Sequence, residues 1–241
     1  MLDPLHQFAV SPILNINVGG FDLSFTNSSL AVMVAFLMIA TIFALGVRSR
    51  RLIPDRMQAS VEVVYFVIAD LIDSNVGRAG RKYFPLVFSV FLFVLFGNIV
   101  GLIPHMFTFT SHIVVTFSLA LIVFIFVTVL GFVLHGIKFL KLFAPDGVPK
   151  FIMPLLIFVE LVSYLIRPIS LAIRLFANMM AGHTMIKVFA GLLGLFGSWL
   201  VPVIVPVNML MTGLELFVAT LQAYIFAVLT CVYLNDAVHL H

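Results

Sequence analysis

Charge is what this sequence has least of. Only 10% of its 241 residues are Asp, Glu, Lys or Arg, while 63% are apolar. An ordinary globular domain carries about 25% charged residues, so these charges cannot cover a compact soluble particle of this size, and a soluble enzyme is excluded. Cysteine is nearly absent. Cys231 is alone and lies in an apolar run, which rules out a disulfide scaffold, leaves the redox compartment open, and reads as a small buried hydrophobe. With 15 Gly, a collagen-like repeat is excluded. Disorder is excluded by 26 Phe among long Val/Ile/Leu runs. No GxxxxGK[ST] loop, HExxH or paired-cysteine motif occurs, so nothing points to a P-loop nucleotide, a metal or a cofactor. The scattered His6, His105, His112, His135, His239 and His241 lack ligand spacing. A formal charge of +3 gives no sign of a nucleic-acid partner. What remains is an integral membrane protein.

Crossing the hydrocarbon core takes about 20 apolar residues in an α-helix. The hydropathy pattern predicts spans over 29–47, 84–103 and 113–134, then two long apolar segments over 151–189 and 201–237. Arg48, Arg50 and Arg51 stop the first, Pro104 and His105 the second, and Gly191, Gly194 and Gly197 break the fourth. Residues 1–28 lack a basic region and carry Asp3 and Asp22, so they read as an outer N-terminal segment and not as a cleavable signal peptide. Seven Lys and Arg fall between Arg48 and Lys82 and three between Lys138 and Lys150, which places the C-terminus on the cytoplasmic or equivalent side. Trp199 fits an outer interfacial anchor. Over 57–74, Val61, Val64, Tyr65, Ile68 and Ile72 recur at helical spacing opposite Gln58, Glu62, Asp70 and Asp73, the pattern of an amphipathic helix on the inner membrane surface. The fold class is therefore an all-α membrane protein with about five crossing helices and one surface helix. A helix of about 39 residues is about 58 Å long, against a core of about 30 Å. The last two helices therefore form a strongly tilted or curved hairpin, unless Pro168 breaks the first of them.

Ionisable groups inside a span are costly and functional by default. Glu160, Ser163, Arg167, Ser170, Arg174 and Asn178 are spaced 3, 4, 3, 4 and 4 and fall within about 80° of one helix face. A polar seam bonding neighbouring helices explains Ser163 and Ser170. It explains two arginines and a glutamate poorly, and Arg174 worst. Arg167 is divided between a structural role, paired with Glu160 or lipid headgroups, and a functional one. His183 lies on the face opposite Arg174. Asn208, Thr212, Glu215 and Gln222 form a second stripe. His183 and Glu215 read as a proton-relay pair, with a buried pair fixing the hairpin as the alternative. Lys187 snorkels to the interface.

The run from Arg167 to His183, RPISLAIRLFANMMAGH, resembles the signature of subunit a of F-type ATP synthases. Phe96-Gly97-Asn98, Leu102-Ile103-Pro104, Thr110-Ser111-His112, Pro145-Asp146-Gly147-Val148-Pro149, Leu221-Gln222-Ala223-Tyr224-Ile225-Phe226 and Val232-Tyr233-Leu234 carry the likeness through the chain. The resemblance implies that Arg174 is the stator arginine facing a ring of c subunits. It implies that Asn178, His183, Glu215 and Gln222 belong to an outer proton half-channel, and Glu160, Ser170 and Tyr233 to the inner half-channel or rotor-facing surface. The chain itself is then a non-catalytic proton-channel subunit with no cofactor. Its partners are the c-ring, the b-subunit peripheral stalk, other ATP synthase subunits, membrane lipid and protons, with no nucleic acid. Its membrane is the bacterial inner membrane, or alternatively the mitochondrial one. A secondary antiporter would need an inverted repeat, and a stand-alone channel a filter-like loop; neither is found. A sodium-translocating version stays open.

Overall fold

The computed structural model describes residues 10–239 apart from 16, 19–20, 23, 49–52, 104–105 and 144–150. Arg50, Arg51, Pro104, His105, the 145–149 motif, Lys150, His6, His241 and Asp3 lie outside the described residues. The chain opens on a small antiparallel ribbon, with β1 (Pro12–Leu14) paired to β4 (Phe25–Thr26) and β2 (Asn17–Val18) to β3 (Phe21–Asp22). No strand was expected there. Among the described residues the regular elements after it are all helical, with α1 (Asn27–Arg48), α2 (Arg56–Asn75), α3 (Phe84–Leu102), α4 (Ile113–His135), α5 (Met153–Phe196) and α6 (Val201–Val238) as the long ones. All but α2 are long and apolar enough to cross a membrane.

The helices end where local chemistry dictates. The Asp55 carboxylate accepts the Arg56 N–H at 2.8 Å and caps α2. Gly136 (φ 57°) follows α4 and Gly197 (φ 90°) follows α5, in the left-handed region that glycine enters without penalty. The sequence pattern ends the fifth helix at 189, but α5 continues through Gly191 and Gly194 to Phe196. An interior glycine costs about 1 kcal/mol, less than leaving backbone groups unpaired in an apolar medium. The break considered at Pro168 is also absent: this proline and Pro206 both sit inside continuous helices.

Small side chains let the helices approach closely. Ala31 and Ala35 of α1 are fully buried, as are Ala219, Ala223 and Ala227, one turn apart on α6. The most extensive packing is between α3 and α6, with Val87, Val94, Gly97 and Val100 of α3 in the core. Glycine on α3 also admits the loop that follows it. A Cβ on Gly97 would stand 2.6 Å from Phe109 Cζ, and one on Gly101 2.6 Å from Thr108 Cγ2.

On α2, Val61, Ile68, Leu71 and Ile72 are buried where the helix lies against α1, α3 and α6. Tyr65, assigned to that strip from its spacing, is half exposed, with its ring 4.7 Å from Phe84. It joins exposed Val63, Phe66 and Val67 because the buried strip is narrower than the apolar arc. At the exit from α2, Arg81 grips Asp73 with two bonds of 2.8 and 2.6 Å. The Arg81 hydrogen bond holds the Asp73 carboxyl below its usual range, so the pair persists at neutral pH and is lost only as pH falls through that lowered value.

Candidate functional site

The hairpin of α5 and α6 turns through Gly197 and the single 3₁₀ turn Ser198–Leu200. Antiparallel packing then sets residues at similar counts from the turn side by side, which brings His183 level with Glu215 and Arg174 level with Gln222. Arg174 stands midway along the 44-residue α5. It is exposed on a face of the bundle where Ser170, Ala177, Ala181, Met185 and Val188 are exposed with it. Among the described residues it makes no hydrogen bond or ion pair. Tyr233 lies within electrostatic reach of both Arg174 and Arg167.

His183 points the other way, into the bundle. Its Nδ1 meets Glu215 Oε1, and its Nε2 lies 2.8 Å from the Gly101 carbonyl and 3.1 Å from Thr108 Oγ1. A carbonyl can only accept, so Nε2 carries a proton that it donates to Gly101. Nδ1 and Oε1 therefore share the proton between them: either neutral imidazole faces carboxylic acid, or imidazolium faces carboxylate. A proton can change sides across this contact without any heavy atom moving. Glycine at 182 makes room for it, because a Cβ there would stand 2.6 Å from Glu215 Oε1. Thr108 comes from the loop between α3 and α4, and no spacing rule marks it; only its closeness to the Thr110-Ser111-His112 motif could have drawn attention to it.

α3, the loop after it, α5 and α6 also carry buried polar atoms with no hydrogen-bond partner among the described residues: Asn98 Oδ1, Thr110 Oγ1, Asn178 Nδ2, Asn208 Oδ1, Gln222 Nε2 and the second Glu215 oxygen. Leaving such a group buried and unmet costs about 1–3 kcal/mol. Asn98 does spend one amide hydrogen on the Ala219 carbonyl at 3.2 Å. It was legible in Phe96-Gly97-Asn98 as part of the likeness, but not as a site residue.

Nearer the C-terminal end of α6, Glu160 and Tyr233 gather around Arg167. The guanidinium is 4.0 Å from Glu160 Oε1 and sits 5.7 Å over the Tyr233 ring. Its closest partner is Asp236, at 2.9 Å; the Glu160 pairing expected from the sequence is present too, as the longer contact, and Asp236 was not among the candidates. Asp236 went unnoticed because a carboxylate in the last turn of a helix reads as a solvated end. Ser170 joins no cluster: it is exposed, and its hydroxyl donates to the Arg167 carbonyl of its own helix at 3.0 Å.

The profile of the ATP synthase A chain family matches residues 28–235. The chain is 50% identical to ATP synthase subunit a of Parvibaculum lavamentivorans over 244 residues, which cover 99% of this chain and 94% of that protein. This multi-pass membrane protein therefore belongs to the ATP synthase A chain family, as a subunit a of the ATP synthase membrane sector.

Proposed function

We propose that the chain is the stator of a rotary proton motor. In this reading it presents Arg174 and two offset proton half-channels to carboxylates on a ring of c subunits, and so couples proton flow to ring rotation and ATP synthesis. One observation carries this: a permanent cation stands exposed midway along an apolar helix, with no countercharge of its own among the described residues. An unpaired charge in lipid is too costly to keep without use. An opposite charge brought by a moving partner supplies that use.

A guanidinium stays protonated under any realistic condition, so Arg174 acts electrostatically and carries no proton. As a ring carboxyl approaches, the cation favours its ionised form and the proton leaves toward the inner side. The carboxylate passes the arginine and takes a new proton from the outer side by way of Glu215 and His183. Neutral again, it re-enters lipid cheaply. The buried, unmet polar atoms of Asn178, Asn208, Glu215 and Gln222 suit a path that water enters, since water is the partner available to such groups. Glu160 and Tyr233 lie on the other side of Arg174 along the hairpin and line the inner path, while Ser170 stands on the exposed rotor-facing stripe. Each elementary charge moved through 100 mV contributes about 2.3 kcal/mol to the bias.

At 1.5 Å per residue α5 and α6 are about 66 and 57 Å long. A core of about 30 Å accommodates them only if the hairpin lies strongly oblique, which lays the Arg174 face along the flank of a ring. The chain is thus one membrane domain of the bacterial inner membrane, non-catalytic by itself, working with the c-ring, the b-subunit stalk, lipid and protons. The deciding experiment is ATP-driven proton pumping by membrane vesicles whose complex carries Arg174→Ala. Loss of pumping with normal subunit content supports the reading, and pumping near the parental rate overturns it.

Gly182→Ala makes a subtler test of the relay. Alanine is the better helix former, and the atoms it would meet are the far end of the Glu215 side chain. The helix is therefore retained while the carboxylate is pushed off His183. Assembly is expected to be unchanged and the pumping rate to fall about tenfold; an unchanged rate would show that the contact is dispensable.

A further inference from the structure

The exposed stripe of α5 carries two arginines, and the fold treats them oppositely. Arg167 lies seven residues before Arg174, two helical turns and about 10.5 Å away, and within about 20° of the same face. It is enclosed by four side chains. The Tyr164 and Tyr233 rings lie 5.8 and 5.7 Å from the guanidinium carbon, Asp236 of α6 holds Nη1 at 2.9 Å, and Glu160 stands 4.0 Å from Nη2. Both rings belong to buried residues. Arg174 has none of this: it is exposed and forms no ion pair among the described residues.

We infer that Asp236 is a positioning residue that withdraws Arg167 from the rotor-facing stripe, so that Arg174 is the one cation a passing carboxylate meets there. This rests on the stator reading above. A second bare guanidinium two turns away would attract the same carboxylate at the wrong level, beyond the point where its proton is to be released. It would hold the ring in that position and slow every turn. The aromatic rings direct the guanidinium toward α6, and the Asp236 carboxylate neutralises it with a charge-assisted bond. Glu160 at 4.0 Å is too far for a hydrogen bond and does not replace it. Asp236 itself touches no moving carboxylate; it acts through Arg167.

The test compares ATP-driven pumping by vesicles carrying the whole complex with Asp236→Asn, Arg167→Gln or both, with subunit content checked. Asp236→Asn is expected to slow pumping about fivefold to tenfold, because it frees the Arg167 charge. Arg167→Gln leaves no second cation and stays within about twofold of the parent, and the double variant recovers to that level. A merely structural Arg167–Asp236 staple predicts instead that Arg167→Gln, which strands the Asp236 carboxylate, lowers subunit content and pumping as much as Asp236→Asn does; the unequal effects of the two single variants separate the readings. The inference is overturned if Asp236→Asn pumps like the parent, or if the double variant fails to assemble or stays as slow as Asp236→Asn. Arg174→Ala in the same assay separates the two levels. If it still pumps, the stator reading has failed; if it is silent while the double variant shows no rescue, only the role of Asp236 has failed.

Discussion

Arg174→Ala is expected to abolish ATP-driven pumping, by at least about a hundredfold, and to raise passive proton flux through the same membranes. The two effects come from one charge. Without the guanidinium, a ring carboxylate passing midway along α5 meets no positive charge on its face, and the effective penalty for an unpaired ion in such a medium is several kcal/mol. Each 1.36 kcal/mol of barrier is a factor of ten in rate, so two or more decades are lost. On the stator reading, the same cation repels protons and hydronium that would otherwise pass directly between the proposed half-channels. Arg174→Lys separates charge from shape. It keeps a cation but loses the planar, delocalised group and releases its proton far more readily when desolvated, so its rate is expected to lie between those of the alanine variant and the parent. An assembled Arg174→Ala complex that pumps within twofold of the parent would reduce the polar stripe to packing.

The second large effect is expected at Glu215. The carboxyl is buried, touches His183, and has its other oxygen unmet among the described residues. Glu215→Gln preserves size and hydrogen bonding but removes the exchangeable acid proton, so proton uptake is expected to slow by about ten- to a hundredfold, within the usual range for an acid–base group. Exchanging the two residues, His183→Glu with Glu215→His, restores one acid and one imidazole across the same contact. That double exchange is expected to retain more activity than the worse single variant, since residues in contact are not additive. Equal or lower activity would count against a shared proton and leave the pair as a hairpin fastener.

Much of this was readable along the chain. The shortage of charge established a membrane protein, and the apolar runs gave the number of helices long and apolar enough to cross a membrane, five. The spacing of Glu160, Ser163, Arg167, Ser170, Arg174 and Asn178 placed them on one helix face, and the motif from Arg167 to His183 named the family that the comparisons bear out. Such information is local: hydropathy, helical period and a contiguous motif need no knowledge of what packs against them. The end of α5 was misjudged at Gly191 and Gly194, because the cost of a glycine is local while the gain from keeping the helix comes from its apolar surroundings.

Partners across the chain are a different kind of fact. Glu215 was a candidate for His183 because it is the only carboxylate between Gly191 and Asn235, but Thr108 and the Gly101 carbonyl, 75 and 82 residues away, were invisible. So was Asp236, 69 residues from Arg167, with the consequence that one arginine is neutralised and the other left bare. On the bare sequence the two look alike, a pair of cations on one stripe. Composition and periodicity determined by themselves that this chain lives in a membrane and carries a polar face there. Only the folded hairpin decided which charges on that face are silenced, because pairing depends on distances between helices and no repeat along a single helix encodes them.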